Sequence, residues 1–214
     1  MGILKVKKLI FIVLTLTVLQ LGRIALKNIV FSFMTRTLLS DVIVSIIYMS
    51  LIICIALVIM KKKRIDISIF PQKWNVKYTI FTLLVFAFFI VTPVITKSYQ
   101  LYDVLSLIYN AIVTVIFEEL IFRGFVFKEI SSMKNDLVAY IISTILFGIW
   151  HLGYIDTILW RTSLFSPEAN IANIMFWKVI TGMIIGIVLG FFRYKNKNTY
   201  SSILVHTFIN TFGG

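Results

Sequence analysis

The sequence predicts an all-α fold, a polytopic transmembrane helix bundle of about seven hydrophobic segments with the last one short. Three observations predict it. Of the 214 residues, 59% are hydrophobic, against about 45–50% for a soluble domain, and the mean hydropathy is +0.97. The apolar residues fall in runs close to the ~20 residues that a spanning helix needs. Charged residues make up only 14% of the chain and gather between those runs.

The runs cover roughly Leu9–Ala25, Val42–Met60, Tyr78–Thr96, Leu105–Phe127, Leu137–Tyr154, Ile174–Phe192 and Tyr200–Phe212. The first follows Lys5, Lys7 and Lys8 as a signal peptide would. No small-x-small cleavage site comes after it, so it reads as a retained span, interrupted by Arg23. The second holds the one cysteine, Cys54, which has no partner for an internal disulfide and reads as a small core or lipid-facing residue. The stretch Lys61–Lys77, with Pro71 and Trp74, reads as a basic loop at the membrane interface. Pro93 is expected to kink the third run. The sixth carries Gly182, Gly186 and Gly190, a stripe that serves either dimerisation or, as the commoner case, close packing within a bundle. The seventh is too short to span ~30 Å at 1.5 Å per residue. No low-complexity tract interrupts the chain. It divides into N-terminal membrane helices and basic loop over residues 1–104 and a core over residues 105–214, within one continuous membrane domain.

Lys and Arg outnumber Asp and Glu by 21 to 9, a net charge of +12. In a soluble protein that excess would suggest nucleic acid. Here it lies between apolar runs, as the positive-inside rule expects, and nucleic acid is not an expected partner. The cluster Lys61-Lys62-Lys63-Arg64 dominates the balance and sets the N-terminus in the cytoplasm. A composition rich in Ile, Lys, Phe and Asn suggests an AT-rich, low-GC bacterium, hence a bacterial plasma membrane.

Polar residues inside apolar runs cost a few kcal/mol each on insertion scales and so need a reason. Three places stand out. In Phe117-Glu118-Glu119-Leu120-Ile121-Phe122-Arg123, Glu119 and Arg123 share a helix face at i,i+4 and can pair. Glu118 lies about 100° around the helix with no local partner, a setting suited to general acid–base work or, beside a structural Glu119–Arg123 pair, to a spare glutamate near the interface. In Phe147-Gly148-Ile149-Trp150-His151, Phe147 and His151 share a face, where a lone histidine is more often a packing residue. In His206-Thr207-Phe208-Ile209-Asn210, His206 and Asn210 again stand four apart, either facing one cavity or joining helices. Both histidines of the chain lie in apolar runs. Carboxylate, two imidazoles and an amide in one bundle suffice for a hydrolytic site.

The order E-E-x-x-x-R, F-x-x-x-H and H-x-x-x-N on successive membrane helices resembles the CAAX protease and bacteriocin-processing (Abi) family, which includes the type II CAAX prenyl endopeptidases. All three motifs are complete, and the resemblance covers about Leu105 to Asn210. It implies an intramembrane protease. Glu118 would activate a water, His151 would hold that water or shuttle its proton, and His206 with Asn210 would stabilise the oxyanion. Arg123 paired with Glu119 would fix the helix that carries the base, with Phe147 in support. No cofactor is favoured. Zinc is the alternative, held by Glu118, His151 and His206, although the compact H-E-x-x-H spacing is lacking.

The expected partners are a peptide or protein substrate at the membrane and the lipid bilayer itself. Candidate substrates are a bacteriocin leader, a signalling peptide, or a prenylated or other lipid-proximal peptide. The alternative is a non-catalytic protein of bacteriocin self-immunity, or a regulator of a membrane partner. A proton-relaying transporter is disfavoured because no inverted repeat of broken helices appears. Two departures from the family pattern are expected to matter. Family members usually continue with another hydrophobic span, whereas this sequence ends at Gly213-Gly214. Straight helices with the bounds above would also set Glu118 and His151 about 7 Å apart in depth.

Overall fold

A computed structural model describes residues 2–213; Met1 and Gly214, the outer limits of the two expected units, lie outside the described residues. Seven helices follow one another: α1 (Gly2–Phe33), α2 (Leu38–Lys63), α3 (Val76–Thr96), α4 (Leu101–Met133), α5 (Asp136–Phe165), α6 (Ile171–Asn196) and α7 (Thr199–Gly213). The first six are long and apolar enough to cross a bilayer. The molecule is a polytopic helical bundle of an integral membrane protein. At 1.5 Å per residue α7 is about 22 Å long, short of a span.

Local chemistry sets most helix starts. Thr37 and Ser40 form a reciprocal capping box at α2. Asn75, Asn135 and Asn170 accept from Tyr78, Val138 and Asn173 at the starts of α3, α5 and α6. Each such cap stabilises a helix by about 1 kcal/mol. The ends of α2, α3 and α6 are closed by Arg64, Lys97 and Lys197 in the left-handed region, with φ of 52°, 54° and 57°, where the chain turns back at once.

Several expected bounds are corrected. Helix α1 is continuous through Arg23 because that guanidinium never meets lipid. It binds Asp156 at 2.5 Å and the Gly153 carbonyl of α5, and is 2% exposed. Helix α4 continues past Phe127 to Met133, on residues polar enough to leave the apolar run, and α5 begins at Asp136 rather than Leu137 and passes Tyr154 to end at Phe165. Glu118 thus stands fifteen residues before the α4–α5 turn and His151 fifteen after its start. Counted from the helix ends rather than the apolar bounds, the two stand at equal distance from the turn, and the count that gave a difference in depth of about 7 Å no longer applies. Cys54 is exposed on the bundle surface.

Helix α4 sits at the centre, between α2, α5 and α7. Phe117, Phe122, Phe127, Phe147 and Trp150 form the core around it. Helix α5 packs closely on α6 along the glycine stripe. A methyl at Gly186 would meet Phe147 and Thr144, and one at Gly190 would meet Tyr140, so the stripe serves packing inside the bundle. Helix α3 buries only Val85 and turns Leu83, Leu84, Phe86 and Ile90 outward, a face that suits hydrocarbon.

Ion pairs latch both ends of the bundle. At the end that holds the α2–α3, α4–α5 and α6–α7 connections, Lys8 pairs with Glu129 and Lys197 with Asp136. Here the backbone N–H groups of Thr199 and Tyr200 donate to the Ser68 and Ile69 carbonyls, which ties the basic loop to α7. At the other end Arg23 meets Asp156, and Lys27 and Arg36 share Asp41.

Candidate active site

Helix α4 is regular only over Thr114–Glu119 in its middle. Wider π-helical turns flank it, over Tyr109–Val113 and Leu120–Val126. Such turns insert a residue and shift the side chains that follow, and they are frequent at functional sites. Both adjacent glutamates lie on the regular segment and are enclosed: Glu118 is 3% exposed and Glu119 is 0% exposed.

The two have different surroundings. Glu119 lies 3.2 Å from Arg123 across one turn and accepts at 3.0 Å from Nδ1 of His206 on α7. Arg123 is held in turn from α5 and α6. It stacks on the Phe147 ring at 4.2 Å and donates to the Gly186 carbonyl at 3.3 Å. Breaking one member of such a buried set costs about 3–5 kcal/mol. Glu118 instead faces a cavity. Its Oε1 accepts from the Trp150 indole N–H at 3.2 Å and the Tyr154 hydroxyl at 3.0 Å. Its other oxygen, Oε2, makes no hydrogen bond to the described residues.

The histidines present corresponding edges. A carbonyl only accepts, so the 2.8 Å contact between His151 Nδ1 and Phe147 O fixes the proton on Nδ1 and leaves Nε2 free. His151 packs against Gly182, where an added methyl would come within 2.7 Å of Nδ1. His206, held by Glu119 through Nδ1, likewise keeps Nε2. Asn210 donates one of its two amide N–H groups to the Asn110 carbonyl at 3.0 Å, inside the first π turn, and the other remains.

Glu118, His151, His206 and Asn210 line one cavity of about 520 Å³, with Phe147 also in its wall, a volume typical of ligand pockets. The cavity runs from the middle of the bundle toward the end opposite the basic loop, past Asn110, Asp41 and Arg161. Glu119 and Arg123 lie behind it as the holding pair. The donor types, one carboxylate and two imidazoles, are ones that zinc accepts, but among the described residues no three His, Cys, Asp or Glu side chains stand close enough together to share an ion.

Sequence reasoning missed Trp150 and Tyr154, the donors to Glu118, and the second task of Glu119, holding His206. Trp150 and Tyr154 lie three and seven residues after Phe147, on the same helix face, which was the available signal. The Arg23–Asp156 pair spans 133 residues and carried none.

A family model described as type II CAAX prenyl endopeptidase Rce1-like matches residues 99–212. The chain is 28% identical over 97 residues to UPF0177 protein YxdF of Lactococcus lactis subsp. lactis. That similarity covers 45% of this chain and 41% of the relative, so the matched region spans less than half of either protein. No solved structure matches.

Proposed function

Because the chain belongs to the Rce1-like family of type II CAAX prenyl endopeptidases, we propose that it hydrolyses a membrane-proximal peptide bond with a water activated by Glu118. The observation that carries this reading is the convergence of Glu118, His151, His206 and Asn210, from three helices, on one cavity.

A water between Glu118 Oε2 and His151 Nε2 would give its proton to the carboxylate as its oxygen attacks the scissile carbonyl carbon. Trp150 and Tyr154 donate to the opposite carboxylate oxygen, which fixes the group and leaves Oε2 for the water. The oxyanion would accept from His206 Nε2 and the remaining N–H of Asn210. With Nδ1–H bound to Glu119, His206 donates from Nε2 only when the ring carries both protons. Glu119 is the carboxylate that accompanies that form. Collapse breaks the C–N bond, and the departing nitrogen takes the proton from Glu118. One water is consumed, its hydroxyl going to the acyl product and its proton to the amine. No step is assigned to a metal.

The orientation proposed is N-terminus cytoplasmic, which turns the open end of the cavity away from the basic loop and toward the outer face. That arrangement favours small secreted peptides, such as a bacteriocin leader or a signalling peptide, over prenylated ones.

The test uses purified wild type and Glu118→Gln in detergent, incubated with a library of membrane-proximal peptides with and without a chelator. Products are read by mass spectrometry. Cleavage by wild type alone, unaffected by the chelator, is expected. Equal cleavage by both proteins would refute the role of Glu118, and loss on chelation would refute the metal-free mechanism. No cleavage by either correctly folded protein would leave the non-catalytic immunity or regulatory reading.

A further inference from the structure

Buried or nearly buried cations in this bundle have partners. Arg23 binds Asp156, Lys27 and Arg36 bind Asp41, Arg123 binds Glu119, and Arg193 donates to the Arg123 carbonyl at 2.8 Å. Two half-buried cations in the cavity wall break the pattern. Among the described residues neither Lys178 of α6 nor Arg161 of α5 makes an ion pair or a side-chain hydrogen bond, and the buried Nε of Arg161 has no acceptor. Both line the cavity that holds Glu118.

Lys178 is not simply reaching for the membrane surface. It lies seven residues inside α6, about 10 Å from the helix start. Its ammonium sits 5.6 Å from the centre of the Tyr154 ring, whose hydroxyl holds Glu118. Asp41 is the other carboxylate in the cavity wall, and Lys27 and Arg36 already occupy it. An unpaired cation at membrane depth marks a ligand path, and a guanidinium beside an ammonium matches a carboxylate.

We propose that Lys178 and Arg161 form a carboxylate-binding subsite that seats an acidic group of the peptide in the same cavity as Glu118. The proposal rests on the peptidase reading and adds a substrate class to it, peptides with a carboxylate near the scissile bond. The carboxylate comes either from the chain terminus or from an Asp or Glu side chain.

The test uses three matched decapeptide libraries: free C-terminal carboxylates, C-terminal amides, and free termini with Asn and Gln in place of Asp and Glu. Wild type, Lys178→Met, Arg161→Gln and the conservative Lys178→Arg are compared by KM and kcat on the best cleaved peptide. KM is expected to rise about tenfold or more in Lys178→Met and Arg161→Gln, with a smaller change in kcat and recovery in Lys178→Arg. A library that lacks the recognised carboxylate is expected to cost wild type as much and the variants nothing further. Loss on amidation assigns the chain terminus, and loss on Asp and Glu replacement assigns a side chain. Variants that discriminate among the libraries as wild type does would overturn the subsite.

Binding of the same libraries to Glu118→Gln, and to Glu118→Gln combined with Lys178→Met, separates the two readings. If nothing is cleaved but the acidic libraries bind and Lys178→Met weakens them, the subsite stands and the peptidase reading falls. Equal binding of all libraries overturns the subsite.

Discussion

Gly182→Ala is expected to impair the site from behind. The added methyl would stand 2.7 Å from His151 Nδ1, 3.0 Å from Cε1 and 3.2 Å from Cγ. Ordinary contact begins near 3.4 Å, so the imidazole must retreat by about 0.7 Å or tilt. Either movement strains the 2.8 Å bond from Nδ1 to the Phe147 carbonyl. Displacement of a catalytic group by about 1 Å can lower the rate about 100-fold. Stability should change much less. Overpacking costs roughly 1–3 kcal/mol, and alanine in a helix returns about 0.5–1 kcal/mol relative to glycine. Gly190→Ala is the control. Its methyl would overlap the Tyr140 ring at 2.5 Å, well away from the cavity. Denaturant unfolding in detergent should find the two variants within about 1 kcal/mol of each other, while cleavage should fall about 100-fold in Gly182→Ala alone. Wild-type cleavage by Gly182→Ala, or equal loss in both, would refute the placement of His151 as a working group.

Tyr154→Phe removes one of two donors to Glu118 Oε1 and should lower kcat about tenfold with little change in stability; an unchanged kcat would dismiss that bond. Asp156→Asn leaves Arg23, 2% exposed, without its counter-charge and should destabilise the protein by about 3–5 kcal/mol. A double-mutant cycle with Arg23→Met should recover part of that loss in denaturant unfolding. Lys97→Gly relieves a left-handed residue that ends α3 at φ 54° and should raise stability by up to about 1 kcal/mol, read in the same unfolding experiment.

Much of the fold was legible because lipid simplifies the code. Runs of apolar residues mark spans whatever packs on them, and all seven helices fall on the seven runs. Their ends were less legible, since hydropathy stops where polar residues begin while the helix continues. Lys128-Glu129 prolongs α4 in this way, and Asn135 caps α5 before its first apolar residue. Glu119 and Arg123 were readable as a pair because i,i+4 spacing is local. His206 on Glu119 is a contact across 87 residues, and periodicity holds no trace of it. The π turns were hidden because no residue type encodes them. Lys178 and Arg161 stood in the sequence only as part of the basic excess. Their significance comes from the acids they lack, which is visible only when every other pair is in place.

The most direct test of the central claim is single-turnover cleavage in liposomes with enzyme in excess and metal ions stripped, comparing wild type, Glu118→Gln and Glu118→Asp in water enriched with heavy oxygen. Wild type is expected to cleave and to place one solvent oxygen in the new carboxylate. Glu118→Asp should cleave slowly, and Glu118→Gln should not cleave. Cleavage by Glu118→Gln at the wild-type rate would contradict the assignment of Glu118 as the base.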